Sequence, residues 1–132
     1  MKLEHLGIAV SSLQTSIPLW ERLLGTPCYK TETVEREGVT TAFFQTGESK
    51  VELLEASRDD SPIQKFIAKR GEGIHHAAFW VDDLESEIAR LKEAGFEFLN
   101  EEPKAGADGK RIVFLHPKST GGVLVELCAD AK

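Results

Sequence analysis

The sequence predicts an α+β fold built from two tandem strand–helix–strand–strand–strand modules packed as one domain. Three observations predict it. The stretch "HLGIAVSSL" at residues 5–13 returns as "HAAFWVDDL" at 76–84, an offset of 71 residues that also carries Val10 to Val81 and Leu13 to Leu84. Each copy leads into a helical apolar stripe and then into three strand-like runs. A copy of about 66 residues is too small to enclose a good core alone, so the two are expected to share one.

The elements follow in order. Residues 3–10 read as a strand with Leu6, Ile8 and Val10 on one face and His5, Gly7 and Ala9 on the other. Leu13, Ile17, Trp20, Leu23 and Leu24 set a helical stripe that Gly25 stops. Pro18 strains that helix, because a proline is costly beyond the first turn. The runs "CYKTETVE", "GVTTAFFQTG" and "KVELLE" read as three strands. Ser61 and Pro62 then open a linker helix over about 61–71 through Ile63, Phe66 and Ile67, closed by Gly71.

The second module repeats the plan. At 76–81, Ala77, Phe79 and Val81 share one face, and His76, Ala78 and Trp80 the other. Asp82, with Glu85 three residues on, is expected to cap a helix striped by Leu84, Ile88 and Leu91 and stopped by Gly95. Strands are expected in "FEFLNEEP", "RIVFLHP" and "GVLVELC". The boundaries are therefore about 1–58 for module one, 61–71 for the linker and 73–130 for module two, within one domain over 1–132.

Composition excludes several classes. A net charge of −6 argues against a nucleic-acid surface. No apolar run approaches the roughly 18 to 20 residues that span a bilayer. A strand beginning almost at Met1 leaves no room for a targeting peptide, so a cytoplasmic protein is expected. Cys28 and Cys128 make neither a disulfide framework nor a cysteine-rich metal site, and they read as small buried apolar residues. There is no glycine-rich phosphate loop, zincin helix or nucleophile elbow. Lys104, Lys110, Arg111 and Lys118 cluster in an otherwise acidic chain, as a solvated face or as a contact for a phosphate-bearing ligand.

The chemistry-bearing residues fall out of phase with the apolar set. His5 and His76 each open a strand opposite its larger aliphatic residues. Glu52 lies between Val51 and Leu53, and Glu126 between Val125 and Leu127. Any one of the four alone reads as the wet face of a sheet. Their joint occurrence at matching places in both modules points to metal ligands, since imidazole and carboxylate are the pair that holds divalent first-row ions. His75 points away from His76 and reads as a core or supporting residue. His116, at a strand end, reads equally as structural or substrate-contacting.

With these residues placed, the chain resembles the vicinal oxygen chelate (glyoxalase-like) superfamily, and within it the methylmalonyl-CoA epimerases. "HLGIAV" is common to the superfamily, whereas "RDDSPIQKFIAKRGEGIHH" and "EEPKAGADGKRIVFLHPKSTGGVLVELC" are particular to the epimerases. The resemblance implies a cup-like eight-stranded mixed sheet around one divalent ion per chain (cobalt, manganese, nickel or zinc), held by His5, Glu52, His76 and Glu126. It implies epimerisation of the 2R and 2S forms of a small-molecule acyl-CoA substrate by α-proton abstraction and return through a metal-stabilised enolate. It also implies a homodimer, with neither nucleic acid nor membrane as partner. Glu52 stands where some epimerases carry glutamine. Thr40 and Thr41 occupy a region where some bacterial epimerases place a glutamate proposed as a base. Glu52 and Glu126 are therefore the expected catalytic carboxylates, one for each face of the α-carbon. Two alternatives share the fold: a glyoxalase-I-like lactoylglutathione lyase, and a metal-free small-molecule-binding protein.

Overall fold

The computed structural model describes residues 1–131. The chain groups into two units, His5–His75 and a second made of Met1–Glu4 with the segment from His76 onward. The first unit contains β1 (Lys2–Ala9, from His5), α1 (Leu13–Leu24), β2 (Lys30–Val34), β3 (Val39–Thr46), β4 (Ser49–Ala56) and α2 (Pro62–Arg70). The second contains β5 (Gly73–Trp80, from His76), α3 (Leu84–Glu93), β6 (Lys104–Ala105), β7 (Lys110–Leu115) and β8 (Val125–Asp130). The class is α+β, and strand pairing is mixed in both units.

In the first unit the strands run in the order β2–β3–β4–β1, and β4 is parallel to β1 while the other pairs are antiparallel. The second runs β5–β8–β7–β6 with the same alternation, β5 and β8 forming the parallel pair. Registers match as well. Gly7 of β1 pairs with Glu52 of β4, and Ala78 of β5 pairs with Glu126 of β8. The small residue two places after each histidine is thus the one that faces a glutamate.

One face of each sheet is closed by its own helix. Ile8, Val10, Ala42, Phe44, Val51 and Leu53 form a buried cluster with Leu13, against which Ile17, Trp20 and Leu24 of α1 pack. Val81, Val113, Leu115, Leu127 and Ala129 do the same with Leu84, Ile88 and Leu91 of α3. Each fully buried aliphatic or aromatic side chain contributes about 1.5–3 kcal/mol. Strand alternation then puts His5, Lys50 and Glu52 in the first unit, and His76 and Glu126 in the second, on the face away from α1 or α3.

Local signals explain most element ends. Ser12 caps α1 by accepting from the Thr15 N–H, and Gly25 ends it at φ 69°. Pro18 lies inside α1 without breaking it. Ser61 caps α2 with Pro62 at its first turn. Three expectations need correction. The cap of α3 is Asp83, not Asp82, and it accepts from the Ser86 N–H. Leu23 is exposed, so the stripe of α1 is narrower than its leucines suggest. No strand forms over 96–103: Phe98 makes an isolated bridge to Leu115, and β6 follows at Lys104. Phe96 and Phe98 do pack on the core, but the Asn100 side chain accepts the Phe114 N–H and interrupts the backbone ladder.

Candidate functional site

The first unit builds one buried histidine–glutamate pair. His5 Nδ1 lies 3.1 Å from Glu52 Oε2, and both side chains are nearly inaccessible. Parallel pairing sets His5 across from Lys50, so the imidazole leans diagonally toward Glu52. Lys50 is itself buried, with Nζ 3.6 Å from the same Glu52 Oε2. Phe43, across from Glu52 on β3, is fully buried, with the Lys50 ammonium 5.5 Å from its ring centroid.

The second unit builds the same pair from the equivalent strands. His76 Nε2 lies 3.4 Å from Glu126 Oε1, again with both side chains nearly inaccessible. Phe114 faces Glu126 across the β7–β8 ladder, and its ring meets the His76 imidazole edge-on at 5.9 Å. All four expected ligand residues are therefore buried and matched two by two. A carboxylate out of water requires hydrogen bonds or a cation. Imidazole nitrogen and carboxylate oxygen are donors suited to a divalent first-row ion, so the residues present fit such an ion. Glu4, beside His5 in the chain, is a further candidate carboxylate that strand phase does not single out.

The remaining candidates take structural places. His116 caps a 3₁₀ turn at 117–120, its Nδ1 accepting from the Lys118 N–H at 3.2 Å. His75 meets the Phe66 ring edge-on at 5.0 Å, and burial, then the nearby Arg70 charge, pushes its pKa down to about 4. Cys28 and Cys128 are free thiols, donating weakly to the Lys30 and Phe79 carbonyls. Thr41 is buried, and Thr40 shares a hydrogen bond with Thr33 at 3.0 Å.

Among the basic residues, Lys110 pairs with Asp130 at 3.1 Å and Lys118 with Glu97 at 2.8 Å, while Arg111 pairs with Glu85. The Lys118 hydrogen bond holds the Glu97 carboxyl below its ordinary range. That cluster is not a bare cationic patch. Lys50, like Glu4, is a residue that sequence reasoning missed. Its signal was available, because in "KVELLE" it shares strand phase with Glu52.

Comparison with known proteins agrees with this geometry. Residues 4–114 match the glyoxalase/bleomycin resistance protein/dioxygenase superfamily. The mitochondrial methylmalonyl-CoA epimerase of Dictyostelium discoideum is 41% identical, over 96% of this chain and 76% of that protein. The ethylmalonyl-CoA/methylmalonyl-CoA epimerase of Cereibacter sphaeroides is 40% identical, over 96% of both chains. The chain belongs to the methylmalonyl-CoA epimerase family. A solved structure from this family, a variant of the Streptomyces coelicolor methylmalonyl-CoA epimerase with 2-nitronate-propionyl-CoA, superposes with a TM-score of 0.92 at 37% identity, covering 99% of this chain and 95% of that one. Family members are isomerases. No helix among the described residues is long and apolar enough to cross a membrane.

Proposed function

We propose that the protein is a metal-dependent methylmalonyl-CoA epimerase, interconverting the 2R and 2S forms. The observation that supports this best is the duplicated buried His–Glu pair, one in each unit of a chain of this family. In this reading His5, Glu52, His76 and Glu126 together serve one divalent ion, cobalt, manganese, nickel or zinc. Bound, that ion supplies Lewis-acid stabilisation of negative charge developing on the substrate's oxygens.

The protein's own residues do the proton work. One glutamate starts ionised and takes the α-proton on a carboxylate oxygen, breaking the C–H bond. The other starts protonated and returns a proton to the opposite face. The pair ends with its protonation states exchanged, so the next turnover runs in the reverse sense. Glu52 and Glu126 are assigned to these roles because they occupy equivalent strand positions, while Thr40 and Thr41 offer no titratable group. Burial excludes bulk water, which would otherwise compete for the proton.

The family likeness also supports an acyl-CoA substrate, and the same reading takes the protein as a cytoplasmic homodimer. The lactoylglutathione lyase reading needs the same donors but lacks support from the relatives. A metal-free binding role is disfavoured by the four retained ligand residues. The test is to strip the purified protein, reconstitute it with each of the four ions, and assay methylmalonyl-CoA epimerisation beside lyase activity on the glutathione hemithioacetal. Epimerisation restored by metal, with no lyase activity, is expected. Lyase activity alone would overturn the proposal, as would a His76→Ala variant that keeps both its fold and its metal.

A further inference from the structure

The two His–Glu pairs are alike in strand, register and burial, and they differ in the residue two places before the glutamate. At that place the first module carries Lys50, in β4, and the second carries the half-buried Leu124, just ahead of β8. Lys50 is 6% exposed, and its Nζ shares Glu52 Oε2 with His5 Nδ1. Behind the ammonium lies the ring of Phe43. A lysine is almost never this buried unless paired. For stability alone, an apolar residue of similar volume usually does as well as a buried ion pair.

We propose that Lys50 is a positioning residue of the site, a built-in counter-charge for Glu52. In the reacting state two neutral imidazoles, one ionised and one protonated carboxyl and a divalent ion sum to one positive charge, and the Lys50 ammonium adds a second. Positive is the sign that favours an anionic acyl thioester, on which further negative charge develops as the α-proton leaves. The same charge weakens the grip on the cation. This inference rests on the functional reading above for its substrate, and on the Glu52–Lys50 contact for its mechanism.

The experiment titrates zinc into chelator-stripped protein for wild type, Lys50→Leu, Lys50→Gln and Lys50→Arg, with folding checked by circular dichroism. Removing one unit charge near the ion is expected to tighten zinc binding roughly tenfold. Lys50→Leu and Lys50→Gln should agree, and Lys50→Arg should stay close to wild type. In the reconstituted enzyme the two neutral variants should raise KM for methylmalonyl-CoA more than they lower kcat. A merely structural lysine predicts the reverse for zinc, since a disordered Glu52 holds it less well. Zinc binding by wild type with an unchanged or weaker constant in both neutral variants would overturn the assignment of Lys50 alone. No zinc binding by wild type would overturn the functional reading together with it.

Discussion

Phe43→Leu tests the surroundings of the site at a residue with no titratable or metal-ligating group. Phe43 is fully buried, with the Lys50 ammonium 5.5 Å and the Lys30 ammonium 4.8 Å from its ring centroid. Trading a buried phenyl for the smaller Leu costs on the order of 1–2 kcal/mol in lost burial and residual cavity. A cation–π contact adds about 2 kcal/mol where the ammonium is desolvated, as for Lys50, and about 0.5 kcal/mol where it is exposed. The Lys30 side chain, 38% exposed, belongs to the second kind. The expected loss is about 4 kcal/mol, or roughly 15 °C in Tm for a domain of this size. Urea unfolding in the presence of a chelator measures it without any metal contribution. Repeating the change in a Lys50→Leu background should reduce the loss by about 2 kcal/mol, because the two residues are coupled. A loss below 1 kcal/mol, or full additivity with Lys50→Leu, would refute the reasoning.

Other predictions address the scaffold and the assembly. Asp83→Ala removes the acceptor of the Ser86 N–H and should cost about 1 kcal/mol by thermal unfolding, whereas Asp82→Ala should cost almost nothing. Gly106→Ala would place a Cβ 2.9 Å from Ile112 Cγ2 at an ordinary backbone φ of −117°. Overpacking against that buried side chain should outweigh the usual Gly→Ala gain and lower stability by about 1 kcal/mol, read by urea unfolding. Sedimentation at micromolar concentration is expected to show a dimer, and a monomer alone would remove the homodimer from the account.

The module plan was legible because each element carries its own punctuation. Ser61–Pro62 opens α2, Gly25 ends α1, and the alternation around Glu52 and Glu126 marks which way those carboxylates face. Where the reading failed, a side chain had replaced a backbone interaction. Asp82 and Asp83 are adjacent and chemically equal, and only the turn geometry selects Asp83 as the cap. "FEFLNEEP" has the alternation of a strand, and its two phenylalanines do face the core. Asn100 nevertheless takes over a ladder hydrogen bond, which composition does not reveal. Lys50 was passed over for a different reason: lysine is read as surface by default, and its burial depends on Glu52 and Phe43 from two strands at once.

The central claim is that two equivalent buried glutamates each serve one face of the α-carbon. Its direct test is run in heavy water with each pure stereoisomer of methylmalonyl-CoA, following α-deuterium and configuration together. Wild type should invert either isomer with deuterium uptake. Glu52→Gln and Glu126→Gln, with metal content verified, should each lose inversion by orders of magnitude yet still exchange the α-proton of one isomer, a different isomer for each variant. Inversion by Glu52→Gln at the wild-type rate would contradict the account: Glu52 would then be a ligand that glutamine can replace, and another group would carry that proton.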